Sequence, residues 1–273
     1  MSKNSKAKHN SKRVLWGLIV LAVCAVLYFG FGIDLLGFSD MAQETLPPSV
    51  TASAQAPSPS ATASVLSSDI EPVMEVPFDG RHVPTYKGEP YVAVHDNVPY
   101  FTEEEKALTV PFEKFSPLDS LGRCGVVYAN VCEDLMPTKK RGDIGHIRPT
   151  GWVSVQYDFV DGKSLYNRCH LLGHQLTGED DNEMNLITGT RSMNTQGMLP
   201  FENLVADYVK ETGNHVLYRV TPVFIGENLV ADGVLMEGWS VEDEGEGVCF
   251  AVYAFNREPG VEIDYATGES RLS

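Results

Sequence analysis

The sequence predicts a mixed α+β domain built on a central antiparallel sheet. Three observations carry this reading. Residues 215–225, 229–239 and 247–256 are long runs of alternating apolar and polar side chains, the period-two pattern of strands with one buried face. Residues 201–210 place Phe201, Leu204, Val205, Tyr208 and Val209 on one helical face. Pro200 suits the first turn of that helix and Gly213 its C-terminal stop. Ahead of the helix lies a polar stretch, residues 166–203, dense in Asn, Asp, Gly and Thr. Those side chains compete with regular backbone structure through hydrogen bonds of their own, so the stretch is unfavourable as scaffold and is expected to build a site.

Taken in order, the chain of 273 residues opens with a segment that does not read as globular. Residues 1–13 carry Lys3, Lys6, Lys8, Lys12 and Arg13 and no acid, and form a basic cytoplasmic tail. Residues 14–33 then run without a charge, and a helix of that length spans roughly 30 Å, one bilayer core. With Asp34 and Asp40 following, the positive-inside rule directs the C-terminal side out of the cytoplasm. Residues 14–36 are therefore expected to be an uncleaved transmembrane signal-anchor, giving a single-pass protein of the cell membrane. Cleavage of the segment would instead make the protein secreted. Residues 37–74 are dominated by Ala, Ser, Pro and Thr and lack the apolar content to offset chain entropy, so they read as a disordered stalk. The folded domain is residues 75–273, long enough for a sizeable core.

Within the domain, residues 91–94 read as an edge strand or hairpin. Residues 102–105 (Thr-Glu-Glu-Glu) give a helical turn kept short by Pro111. Residues 124–130 form a strand, and 134–145 a basic loop with Pro137 and Gly142. Residues 152–159 alternate cleanly and predict a half-buried strand, turned by Asp161-Gly162 into a partner strand that delivers Asn167, Arg168, Cys169 and His170. Tight Gly226-Glu227-Asn228 joins the first two of the three long strands. Of five cysteines, Cys124, Cys132, Cys169 and Cys249 lie in the domain. An exported domain favours disulfides, and a Cys124–Cys169 bridge would clamp the polar stretch to the segment upstream.

The polar stretch holds the residue types that phosphodiester hydrolysis needs: a base for water, a cation at the phosphoryl oxygens, and a fork for phosphate. Histidine titrates near neutral pH, neutral amide oxygens with waters suit Mg²⁺, and arginine binds two phosphate oxygens at once. Asn167-Arg168-Cys169-His170 is followed by Asn185, by Asn194 nine residues on, and by Glu202 eight further. This order and both spacings resemble the DNA/RNA non-specific endonucleases of the ββα-metal (His-Me finger) class, in the branch of surface-anchored bacterial DNA-entry nucleases and streptodornases. That family centres on Asp-Arg-Gly-His. Here Asn167 and Cys169 replace its Asp and Gly, Asn still accepting a hydrogen bond and Cys small enough to follow a strand. The looser likeness covers residues 123–270, including Arg148 to Trp152 (RPTGW).

The resemblance implies a ββα-metal nuclease domain that cuts DNA, and RNA as well, through the backbone and without sequence preference. It implies His170 as general base, Asn194 as direct ligand of one Mg²⁺ (Mn²⁺ as substitute) and Glu202 acting on the metal's waters. Asn185 would position His170 or the metal shell, and Arg168 would stabilise charge at the pentacovalent phosphorus. Arg191 and Arg148 are secondary candidates for phosphate contact. No protein partner is indicated.

Two features stand against this. The formal net charge is −16, whereas phosphate neutralisation usually calls for basic surface. Lys139, Lys140, Arg141, Arg148, Arg168 and Arg191 concentrate near the polar stretch, and the acids cluster at 179–183, expected to face away from the phosphate, and at 237–246. The second is His174, four residues after His170, which together with Cys169 suggests a zinc hydrolase. Leu171 stands where a helical zincin motif needs Glu, which weighs against it. A cysteine nucleophile at Cys169 is disfavoured because strand neighbours point to opposite faces. A non-catalytic surface-binding module would not be expected to retain both His170 and Asn194.

Overall fold

The computed structural model describes residue 78 and residues 83–273. The basic tail, the anchor and the stalk lie outside the described residues. Among the described residues no helix is long and apolar enough to cross a membrane.

The strands are β1 (Tyr91–Ala93), β2 (Phe112–Phe115), β3 (Val127–Val131), β4 (Tyr166–His170), β5 (Leu186–Thr190), β6 (Val216–Val223), β7 (Gly233–Ser240), β8 (Cys249–Phe255), β9 (Val261–Ile263) and β10 (Ser270–Leu272). The α-helices are α1 (Glu103–Lys106), α2 (His174–Thr177) and α3 (Leu199–Thr212). Six strands form the central sheet in the order β1-β8-β7-β6-β3-β2, with every neighbouring pair antiparallel. The three long alternating runs are its middle, β6, β7 and β8, as expected. β1 lies at one edge, also as expected, and β2 forms the other edge without having been anticipated.

Alternation sends side chains to two different cores. Val216, Tyr218 and Val220 of β6 join Val234, Met236, Val252 and Ala254 in the main core, which Val205, Ala206 and Val209 of α3 complete. Leu217, on the other face of β6, packs with Phe101, Leu108 and Tyr128. α3 is amphipathic as its spacing predicts, although Leu204 stays 43% exposed. Gly213 ends the helix in the left-handed region at φ 73°, a conformation that costs glycine no side-chain clash. The short α1 is fixed by a capping box, in which Thr102 Oγ1 accepts from Glu105 N–H and the Glu105 carboxylate from Thr102 N–H.

One predicted strand is not formed. Over residues 152–159 pairing is reduced to a single bridge between Gln156 and Ser164, continued by Leu165 N–H donating to Val155 O at 3.1 Å. β4 pairs along its full length with β5, from Tyr166 opposite Thr190 to His170 opposite Leu186. The pairing with 152–159 ends at Leu165, one residue before β4 begins.

Candidate active site

β4, β5 and α3 make a two-stranded finger followed by a helix, and the finger positions the site. Tyr166 at the start of β4 is anchored by its hydroxyl, which donates to Gly268 O at 2.9 Å. Cys169 turns into the core, where a Cβ on Gly189, the residue opposite Asn167, would lie 2.4 Å from its Sγ, so this position of β5 needs a glycine. Arg168 and His170 face the other way, into a cleft of about 850 Å³. Arg148, Arg191, Asn194, Glu202, His174 and Arg141 also line it. The structure thus brings together most of the residues singled out in the sequence, though they span more than fifty positions.

Asn194 and Glu202 reach the same cleft through an irregularity in the helix. Met193–Met198 is a π-helical segment that runs directly into α3. In an unbroken α-helix a separation of eight would leave two side chains about 80° apart around the axis. A π turn takes up one extra residue, so eight positions do the work of seven, roughly 700°, close to two full turns. Asn194 and Glu202 therefore share a face. Gly197 lets this segment sit close to β8, since a Cβ there would come within 3.1 Å of Ala254 Cβ. Glu202 lies beneath Gly173, where an added Cβ would approach Oε2 to 2.8 Å. Burial pushes its carboxyl up to about 7, with Gln175 and Arg141 opposing the shift.

His170 is buried and held at both ring nitrogens. Nε2 lies 3.1 Å from the backbone oxygen of Asp180, which can only accept, so Nε2 carries the proton. Nδ1 then keeps a lone pair, and Arg141 Nη2 donates to it at 3.2 Å. Burial first, and the Arg141 charge second, push the His170 pKa down to about 4. At neutral pH the ring is an uncharged acceptor on its Nδ1 side. Arg141 was noted in the sequence only as part of a basic cluster. Its place against His170 had no signal there, because it arrives from an irregular loop.

None of the acids of 179–183 lines the cleft, but Asp180 stands close behind it. Its Oδ1 lies 2.8 Å from His174 Nδ1, and Oδ2 accepts from Gly142 N–H at 2.6 Å. His174 is thus tied to a carboxylate beside the base. Cys169, on the core side of β4, is not available to join the two histidines around a metal. Among the described residues no group of three or more His, Cys, Asp or Glu side chains is placed to hold one.

Arg168 is a fixed part of the wall. Its Nε donates to Ile147 O at 2.6 Å, its Nη2 to Gly145 O at 2.8 Å, and the guanidinium lies 4.1 Å from the centre of the Trp152 ring. Arg148 donates to the same loop at Gly145 O and Ile147 O. Arg191 is paired with Asp161 at 2.7 Å, an exposed contact of small worth. Four arginines and one carboxylate, Glu202, line the cleft of a chain whose net charge is −16, so the charge is segregated by the fold. Asn185 lies outside the cleft and is fully buried. Its side chain accepts from Leu172 N–H at 2.8 Å and donates to Leu172 O at 2.9 Å, holding the backbone just beyond His170.

The expected Cys124–Cys169 bridge is not formed, and both cysteines are free. Cys124 Sγ points instead to the backbone oxygens of Glu183 and Leu186, each at 3.2 Å, while Cys169 Sγ packs over Gly189.

For a divalent cation the donor set of the cleft is suitable. Asn194 offers a neutral amide with no side-chain hydrogen bond among the described residues, Glu202 supplies a carboxylate, and the open cleft leaves room for the waters Mg²⁺ retains.

Comparison with known proteins agrees with this geometry. Residues 108–241 match the family model described as DNA/RNA non-specific endonuclease. Among solved structures the chain is similar to NucA from Streptococcus agalactiae with magnesium ion bound. The identity is 22% and the TM-score 0.61, with 70% of this chain and 91% of that chain covered. This is a likeness of fold. The Sda1 nuclease with bound zinc ion is similar at 26% identity and a TM-score of 0.52, covering 59% of this chain and 80% of that chain. No curated protein matches the chain.

Proposed function

We propose, from the match of residues 108–241 to the DNA/RNA non-specific endonuclease model, that this hydrolase cuts DNA and RNA outside the cytoplasm with His170 as general base and a divalent cation held by Asn194 and Glu202. The observation that carries the reading is the state of His170. Its Nε2–H is spent on Asp180 O, and its one remaining acceptor, Nδ1, is met by Arg141 Nη2 at the cleft that Asn194 and Glu202 also line. Once Arg141 yields that position to water, a neutral imidazole fixed in that tautomer can take a proton from the water as it attacks phosphorus. A cation bound at Asn194 and Glu202 would polarise the phosphoryl oxygens and offset charge on the leaving oxygen.

The other residues orient and shield. Arg168 and Arg148, fixed on the 145–147 loop, supply positive potential at the phosphate instead of a mobile fork. Trp152 covers one face of the Arg168 guanidinium, which limits its hydration. Asn185 acts through the backbone by pinning Leu172. Cationic groups suited to phosphate, with no recognisable base-reading module, support cleavage without sequence preference. Mg²⁺, with Mn²⁺ as substitute, suits an amide-and-carboxylate donor set better than zinc does. The uncharged run at 14–33 after a basic tail supports attachment to the cell membrane with the domain outside.

The test is to incubate the purified full chain with plasmid DNA and with RNA under Mg²⁺, Mn²⁺, Zn²⁺ or EDTA. Cleavage of both polymers is expected with Mg²⁺ and Mn²⁺, and its loss in EDTA, in His170→Ala and in Asn194→Ala. Activity that survives His170→Ala but not His174→Ala would move the base to His174. Activity with zinc alone would favour the zinc hydrolase, and binding without cleavage would favour the surface-binding module.

A further inference from the structure

Resting on the endonuclease reading, we propose that Asp180 is the positioning residue of this site, fixing at once the tautomer of His170 and the loop that carries Arg141. Three hydrogen bonds and one peptide link close a ring. Asp180 O accepts from His170 Nε2–H, and Asp180 Oδ2 accepts from Gly142 N–H at 2.6 Å. Gly142 follows Arg141 in the chain, and Arg141 Nη2 returns to His170 Nδ1 at 3.2 Å. Main chain and side chain of one residue thus hold the base from behind and the cation in front of it.

The ring matters because nothing else regular fixes its parts. After the short 3-10 turn at Glu133–Leu135, no helix or strand occurs before β4, so the position of Arg141 depends on such ties. Residues 178–182, around Asp180, likewise belong to no helix or strand. The carboxylate is not a loosely solvated surface acid. Its side chain is 20% exposed and that of His174 only 17%, and its bond from Gly142 N–H is charge-assisted. The carboxylate also lies against His174, so it sets negative charge beneath a wall that otherwise carries Arg141 and two imidazoles.

Loss of the ring should reach chemistry more than binding, because the groups displaced are the base and the cation beside it. Steady-state kinetics on the full chain with Mg²⁺ test this. Asp180→Ala is expected to lower kcat about ten- to hundredfold with KM changed less than about threefold. Asp180→Asn keeps an acceptor for Gly142 and is expected to retain most of kcat. Gly142→Pro deletes the donor while leaving Asp180 in place, and should reproduce the kcat loss of Asp180→Ala. Arg141→Ala combined with Asp180→Ala should fall short of the product of the single effects, as members of one network do.

Wild-type kcat in Asp180→Ala would overturn the proposal, and so would full additivity with Arg141→Ala. If Asp180→Ala does not fold, Asp180→Asn and Gly142→Pro decide: wild-type kcat in Gly142→Pro, or no rescue in Asp180→Asn, would overturn it. An inactive His170→Ala beside a fully active Asp180→Ala would remove this inference alone. An active His170→Ala would remove the choice of base and this inference with it.

Discussion

Arg141 and His170 meet inside the cleft, with a permanently cationic nitrogen 3.2 Å from Nδ1 of the imidazole. The contact requires a neutral ring, because a protonated Nδ1 would set donor against donor. Arg141→Ala should therefore raise the His170 pKa from about 4 toward the ordinary histidine value, without reaching it, since burial remains the larger cause. An NMR titration of the His170 imidazole in EDTA, native against Arg141→Ala, measures the rise. The Nε2–H tautomer should be visible in the same spectra.

The same shift makes stability depend on pH. The folded His170 binds a proton less tightly than the unfolded one, so protonation favours unfolding. Its contribution is complete above the unfolded pKa of about 6.5 and is lost as pH falls toward about 4, by up to roughly 3 kcal/mol. Glu202 runs the other way. Its folded pKa is raised to about 7, so folding is favoured by protonation, and stability is gained as pH falls through 7. Urea unfolding in EDTA at intervals between pH 7.5 and 4, for native protein, His170→Ala and Glu202→Gln, should separate the two. Against native, His170→Ala should lose less stability on acidification, and Glu202→Gln should gain less.

Asn185→Ala should behave as a folding mutation first. It strips both partners from the main chain of Leu172, which is itself buried, at a cost of about 2–4 kcal/mol. Denaturant unfolding measures this. Because Leu172 lies two residues beyond His170, the folded fraction should also turn over more slowly, which a single-turnover assay on the native-like population detects.

Arg219 and Glu237 provide the contrast. They face each other across β6 and β7, joined by Arg219 Nε to Glu237 Oε2 at 2.8 Å and Arg219 Nη2 to Oε1 at 3.1 Å, with Phe101 and Tyr128 over the guanidinium. Phe101 and Tyr128 belong to the core on the sheet face away from α3. Glu237→Ala takes the two-oxygen partner from a buried cation, leaving it Glu105 at 3.9 Å and Tyr100 O, and should cost about 3–5 kcal/mol. Measured on folded protein below its melting temperature, kcat should be unchanged.

The parts of the molecule legible in the sequence are those written in periodic patterns or in fixed spacings. β6, β7 and β8 announced themselves by alternation, α3 by its apolar face and by Gly213. The candidate site was legible as the order and spacing of Arg168, His170, Asn194 and Glu202. What stayed hidden depends on contacts between distant segments. Residues 152–159 alternate well enough for a strand, yet their pairing stops at Leu165, before β4 begins. β5 itself, a short run with Gly189 at its middle, was lost inside a polar stretch. Arg141 and Asp180 arrive on irregular loops, where sequence distance says nothing of spatial distance. The same holds for Cys124 and Cys169, whose pairing no spacing could decide.

The π-helical segment ahead of α3 has a consequence for how the site tolerates change. Whether Asn194 and Glu202 line up depends on the number of residues between them, hardly at all on which residues those are. Gln196 is exposed, and replacing it with alanine should leave cleavage intact. Deleting it should let the segment relax into an ordinary α-helix, in which the remaining seven positions still span roughly 700° and keep Asn194 in line with Glu202. Inserting one residue there should instead add about 100° and swing Asn194 away from Glu202, leaving a folded protein unable to respond to Mg²⁺. Here function resides in a count, and a single added codon would erase it without disturbing the core.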